Sequence, residues 1–248
     1  MTAGQILKGR ARRAMNGNYG IAISAMVITT GLSLAASMVT TLFFQGTGIV
    51  DIILSNVFAF VLNLIVNIFA AGVSYLYLNI ARGKEAGISD MLYFFKNHPD
   101  RVIVATFVLS LMNLVTNLPL SIYSFTTEVG TSIEAQMEWL TTTYILMLAG
   151  LVLYQILVIP FEMSYFLLAD NHEMNGMEAL KTSAAMMKHN WLRLLLLKVS
   201  FVPLMMLSVL TMFIAMLWIV PYMEMTYAMF YRDLSGEFNP PAENMIQE

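Results

Sequence analysis

The chain has few charged residues, and they are almost absent from five long stretches. Charged residues make up 12% of the chain, against roughly 25% in a soluble domain. Each stretch contains at most two Asp, Glu, Lys or Arg side chains; they are residues 19–44, 52–81, 102–127, 139–169 and 194–231. An apolar run of about 20 residues is long enough to cross a bilayer core of about 30 Å as a helix. The sequence therefore predicts an all-α integral membrane protein that crosses the bilayer several times.

The chain also contains no cysteine, which excludes disulfides, thiolate metal sites and cysteine nucleophiles. It has no phosphate-binding glycine loop, no serine-hydrolase elbow and no HExxH motif. The three histidines do not form a helical pair, and the 21 methionines are scattered rather than clustered. We therefore expect no catalytic residues, no metal or other cofactor, and no nucleic-acid partner.

The distribution of basic residues predicts the orientation of the chain in the membrane. Lysine and arginine occur in residues 1–18, 82–101 and 170–193, whereas residues 45–51 and 128–138 contain only acidic charges. Basic residues in short loops favour the cytoplasmic side. We therefore expect a cytoplasmic N-terminus.

The last apolar stretch decides the number of spans. Residues 194–231 would form a helix of roughly 57 Å, which is too long for one crossing. Two short crossings joined by a turn near residues 211–213 give six transmembrane helices and a cytoplasmic C-terminus. The alternative is five spans and a long interfacial helix. We expect the membrane domain to cover residues 1–234, and residues 235–248 to form a flexible cytoplasmic tail.

Six spans would form three hairpins, each preceded by a cytoplasmic amphipathic helix. Apolar residues recur at helical spacing in residues 2–15, 88–96 and 175–191, which favours this arrangement. In the first segment, Lys8, Arg10, Arg12 and Arg13 are expected to contact lipid headgroups. The simpler interpretation treats all three segments as interfacial connectors held by their basic residues.

Three ionisable residues lie within the predicted spans: Glu162, Lys198 and Glu224. Such residues indicate a functional site because their exposure to lipid is costly. Each glutamate follows a proline, Pro160 or Pro221, and a proline inside a helix bends it. One interpretation is that the two helix kinks line a cavity open to the cytoplasm that holds an ion or substrate. The alternative is a structural pair between Lys198 and one of the glutamates.

Amide side chains add a second polar feature. Asn63 and Asn67 lie four residues apart in one span, and Asn113 and Asn117 repeat this spacing in the next. Each pair therefore presents one polar helix face. We expect hydrogen bonds between spans, and a polar pathway that includes Gln155 is the alternative.

Several short motifs resemble an uncharacterised family of bacterial integral membrane proteins, the family numbered 975 among domains of unknown function. The motifs are residues 17–20 (GNYG), 187–190 (MKHN), 197–201 (LKVSF), 217–222 (LWIVPY) and 226–231 (TYAMFY). The family is similar to the membrane domain attached to some glycerophosphodiester phosphodiesterases. The resemblance implies a multi-span helical protein of the bacterial plasma (inner) membrane, and it supplies no catalytic residues.

Two functions remain open from the sequence. The first is a non-catalytic accessory module that binds membrane lipids or another membrane protein. The alternative is a small transporter or export component that uses the intramembrane Glu and Lys residues.

Overall fold

The structure is a computed structural model that describes residues 3–46 and 48–238. Within these residues the chain is helical, with turns and no strand. Residues 239–248, which contain most of the predicted flexible tail, lie outside the described residues. The eleven α-helices of the described part are α1 (Gly4–Met15), α2 (Tyr19–Phe43), α3 (Ile49–Ala81), α4 (Tyr93–Lys96), α5 (Pro99–Thr126), α6 (Ile133–Val158), α7 (Ser164–Asp170), α8 (Gly176–Met187), α9 (Trp191–Val199), α10 (Val202–Leu210) and α11 (Met216–Leu234).

Five helical segments are long and apolar enough to cross a membrane. They are α2, α3, α5, the continuous pair α6–α7 (Ile133–Asp170) and the pair α9–α10 (Trp191–Leu210). The chain is thus a multi-pass helical membrane protein, and the five-span alternative fits the structure.

The six-span arrangement is not confirmed, because α11 is not among these apolar segments. The chain does reverse after α10, where Met212 and Phe213 adopt the left-handed conformation with φ of 50° and 65°. However, α11 carries Glu224, Arg232 and Asp233, and its residues 225–231 are buried among the other helices. Protein contacts therefore stabilise this part of the helix.

The buried residues lie mainly in one half of the helix bundle. In α3, residues 76–81 are buried, whereas Ile49 and Ile53 near the other end are 64% and 57% exposed. The N-terminal half of α6 and most of α10 are likewise exposed. Exposed apolar surface is stable against lipid tails, which are as apolar as the side chains themselves.

Glycine allows the closest helix contact in the packed half. A Cβ added to Gly72 of α3 would lie 2.0 Å from the carbonyl oxygen of Met91. Met91 belongs to the 3₁₀ turn Ile88–Leu92 that precedes α4. The absence of a side chain at residue 72 therefore brings this turn directly onto α3.

An ion-pair network, here called the Arg82 cluster, joins the ends of three helices. Arg82 follows α3 and lies 2.7 Å from Asp170 of α7 and 2.5 Å from Glu237 beyond α11. Arg232 of α11 binds Glu237 at 2.6 Å, and its Nη1 donates to the carbonyl oxygen of Ala81. The cluster fixes α3, α7 and α11 relative to one another.

The cluster also shifts the pKa values of its members. The hydrogen bond to Asp170 raises the pKa of Arg82 above its ordinary value. Burial alone would raise the pKa of Glu237, but hydrogen bonds from Arg82 and Arg232 outweigh it and lower this pKa. Both shifts favour the charged forms.

Candidate functional site

A polar cavity of about 520 Å³ lies between α3, α5 and the α6–α7 segment. Its apolar lining includes Phe60, Leu109 and Phe161. Its polar lining consists of amides, hydroxyls and one carboxylate: Asn56, Asn63, Asn67, Ser110, Asn113, Asn117, Ser121, Tyr154, Glu162 and Tyr165. We call it the amide cavity. Its volume falls within the usual range of small-molecule sites, about 300–1,000 Å³.

Helical spacing places the amides on facing walls. Asn63 and Asn67 lie one turn apart on α3, and Asn113 and Asn117 lie one turn apart on α5. The expected hydrogen bonds between spans do not form among these residues. Asn63 donates to Ala59 O of its own helix at 2.8 Å, and Asn117 donates to Asn113 O at 2.9 Å. The asparagine pair of α3 and the asparagine pair of α5 therefore both line the amide cavity.

Several amide groups are left without a protein partner at the cavity. Among the described residues, none donates a hydrogen bond to the side-chain oxygen of Asn63, and Asn67 makes no side-chain hydrogen bond. Asn63 is exposed and Asn67 is half-buried in the structure, and lipid tails cannot supply a hydrogen-bond partner to either amide at membrane depth. Water or a polar solute must therefore satisfy these groups.

A charged pair forms one edge of the cavity. Glu162 lines it, and its Oε2 lies 2.9 Å from Nζ of Lys198 on α9. The same ammonium donates to Oε1 of Gln155 at 3.2 Å. The sequence left the partner of Lys198 open; the structure pairs it with Glu162. Glu224 of α11 lies close enough to interact electrostatically with both.

The helix break at Pro160 positions Glu162. Helix α6 ends at Val158, a 3₁₀ turn follows at Ile159–Phe161, and α7 begins at Ser164. Ser183 of α8 satisfies the interrupted backbone, since its hydroxyl donates to Pro160 O at 2.8 Å and accepts from Met163 N at 3.2 Å. Helix α8 thus holds the turn that carries the carboxylate.

Pro221 does not interrupt a helix beside the amide cavity as Pro160 does. Helix α11 runs continuously through it, and Pro221 does not line the amide cavity. The amide cavity thus lies against α3 and α5 and not between two proline kinks, and a bend of α11 at Pro221 stays a prediction. One proline interrupts a helix beside the site, and the other is accommodated inside a helix.

The four basic residues of α1 divide into two groups. Arg12 and Arg13 are exposed. By contrast, the ammonium of Lys8 lies 3.9 Å from the ring centre of Phe201, and the guanidinium of Arg10 lies 3.8 Å from that of Phe238. The residues expected to contact lipid headgroups therefore include two that contact protein rings.

Sequence reasoning missed several lining residues. Asn56 precedes Asn63 by two helical turns on α3, so the same polar face continues and its spacing was a usable signal. Tyr165, whose hydroxyl lies 3.1 Å from Oγ1 of Thr106 on α5, gave no such signal. Tyrosine near a span end is common at membrane interfaces, so its position at the cavity required the structure.

The fold and the cavity define a multi-pass helical membrane protein with a polar site inside the bundle. Among the described residues, no group of three or more His, Asp and Glu side chains is arranged to hold a metal ion. The chain belongs to the family described as proteins of unknown function, DUF975, whose family model matches residues 1–237. Comparisons with curated proteins and with solved structures give no significant match.

Proposed function

We propose that this chain is a non-catalytic protein of the bacterial plasma membrane that binds a small polar solute within the bilayer. This is the role expected of a small transporter or export component. The observation that carries the proposal is the amide cavity, whose walls present unpartnered amide groups at membrane depth. A merely structural polar cluster would pair these groups with one another, because each unsatisfied group destabilises the fold.

The lining favours a neutral solute rich in hydrogen-bonding groups. Amide and hydroxyl side chains both donate and accept hydrogen bonds, and the single lining carboxylate is already paired with Lys198. Phe60 and Phe161 add flat apolar surface. A polyol or a small amide-bearing compound matches this combination better than a multiply charged ion does.

The proposal includes an orientation. The basic segments before α2, α5 and α9 favour a cytoplasmic N-terminus, and a sixth span formed by α11 would return the C-terminus to the same side. In this arrangement the Arg82 cluster lies at the cytoplasmic end. The likeness to the membrane domain of some glycerophosphodiester phosphodiesterases belongs to the same proposal.

An accessory module that binds lipid or another membrane protein is the second candidate. The observation in its favour is the exposure of Arg12 and Arg13 on α1, which can meet anionic headgroups or an acidic partner. On this account the amide cavity would be filled with water alone.

Small-molecule analysis of the protein in lipid nanodiscs made from its native membranes tests the proposal. Wild type should retain one polar compound near stoichiometric amount, and the double variant Asn63→Leu/Asn113→Leu should lose it. Asn16→Leu is the matched control, since Asn16 is an exposed amide outside the cavity. Absence of any retained compound from wild type, or equal retention by all three proteins, would contradict solute binding.

A further inference from the structure

A second cavity, here called the α1–α9 groove, lies between α1 and α9 and has a volume of about 590 Å³. Its basic lining residues are Lys8, His189 and Arg193, and its apolar lining includes Leu192 and Leu196. Among the residues that the structure describes, none of those lining the groove is acidic. The groove thus combines positive charge with apolar surface at the first turns of a membrane-spanning segment.

The charges in the groove are only partly neutralised. Arg193 pairs with Asp233, whose side chain is 1% exposed against 22% for the arginine. Arg193 thus lines the groove, and the carboxylate that it pairs with is buried. Lys8 forms no salt bridge with any described residue; it donates to Ser200 O at 3.1 Å. An ammonium at the membrane without a carboxylate attracts an anion.

The apolar wall continues outward from these charges. Leu192 is 51% exposed and Leu196 is 62% exposed, and they lie one turn apart on α9. Both belong to the apolar segment Trp191–Leu210, so the surface beside them is occupied by lipid tails. A ligand that fits both parts has an anionic head and a hydrocarbon chain.

We propose that the α1–α9 groove binds an anionic phospholipid. The phosphate lies between Lys8, His189 and Arg193, and one acyl chain follows Leu192 and Leu196. Basic pockets beside transmembrane helices are established sites for anionic headgroups. This proposal is independent of the amide cavity, which shares no lining residue with the groove.

Native mass spectrometry of the purified protein, exchanged against equal amounts of phosphatidylglycerol and phosphatidylcholine, tests the proposal. Wild type should retain phosphatidylglycerol preferentially. Lys8→Gln should lower its retention about fivefold, the factor expected for one basic residue near an anionic surface. Lys181→Gln removes the same charge from an exposed position on α8 outside the groove and should leave retention unchanged.

A second pair of variants keeps the test valid if Lys8→Gln unfolds. His189→Glu places an acid in the groove, whereas Lys188→Glu changes the charge more but at an exposed neighbour that does not line it. If the lipid binds in the groove, His189→Glu should lose more phosphatidylglycerol than Lys188→Glu. If only the overall charge of the protein matters, Lys188→Glu should lose more. Equal losses, equal retention of the two lipids, or stabilisation by inorganic phosphate with no retained lipid would overturn the proposal.

Discussion

Lys198 of α9 reaches Glu162 at the helix break after α6, and their charged atoms lie 2.9 Å apart. The two residues are 36 positions apart in sequence, and the pair joins the fifth apolar segment to the edge of the amide cavity. Since Gln155 also accepts from the ammonium, three polar side chains form one unit in an otherwise apolar region. The pair therefore neutralises the carboxylate at the edge of the cavity.

Removal of one partner should destabilise the protein more than removal of both. Lys198→Met leaves the Glu162 carboxylate without its cation, and breaking a buried pair costs roughly 3–5 kcal/mol. The side chains are 18% and 21% exposed, so we expect the lower part of this range. The double variant with Glu162→Gln should recover part of the loss. Unfolding in SDS measures these free energies, with exposed Lys181→Met as control; an effect of Lys198→Met as small as the control would contradict the account.

Ser183 should contribute strongly to stability although it lies outside both cavities. Its side chain is fully buried, and Ser183→Ala removes the hydrogen bonds to Pro160 O and Met163 N. Leaving such groups unsatisfied costs about 1–3 kcal/mol. The same unfolding measurement checks this value. Ser37→Ala, at an exposed position on α2, should change stability by less than about 0.5 kcal/mol. Similar values for the two variants would refute the role given to Ser183.

Gly72→Ala should destabilise the packed half of the bundle. The new Cβ would lie 2.0 Å from the carbonyl oxygen of Met91, and overpacking typically costs 1–3 kcal/mol. Gly31→Ala on α2 meets nothing within 4 Å, and alanine favours a helix over glycine by about 1 kcal/mol. Thermal unfolding in detergent should therefore shift in opposite directions. A rise in the melting temperature of Gly72→Ala would show that the 3₁₀ turn does not pack on α3 this closely.

The Arg82 cluster should weaken in acid. Because the pKa of Glu237 is lowered in the folded protein, its ionised form stabilises the fold. This contribution is complete above the ordinary glutamate pKa of 4.5 and is lost as the pH falls below it through the lowered folded value. The melting temperature of wild type should therefore decrease over this acid range relative to that of Glu237→Gln. Parallel pH profiles for the two proteins would contradict this linkage.

The sequence predicted the secondary structure better than the arrangement of helices. Long runs without charge fix the position of apolar helices, because few other structures tolerate such runs in a bilayer. Whether α11 crosses the membrane was harder to predict. The length of residues 194–231 allows two crossings, but the burial of α11 depends on its contacts with α1 and α3. Apolar length alone does not distinguish burial in protein from burial in lipid.

At the candidate site, too, the sequence predicted the local features but not the arrangement of the helices. Helical spacing indicated that Asn63 and Asn67 share a face, as do Asn113 and Asn117. It did not indicate that the two faces meet at one cavity, since this depends on which helices are neighbours. The contact between Arg82 and Glu237 spans 155 residues, and no local pattern marks it. Long-range pairs of this kind required the structure.

The absence of cysteine allows a direct test of the central claim, that the amide cavity is polar and accessible to water within the membrane. Asn113→Cys places a thiol in the cavity, whereas Val115→Cys places one on an exposed, lipid-facing side of the same helix. Only the thiolate reacts with charged thiosulfonates, and it forms in water rather than in lipid. In nanodiscs, Asn113→Cys should be labelled and Val115→Cys should remain unlabelled. Equal labelling of the two, or protection of Asn113→Cys, would contradict the account.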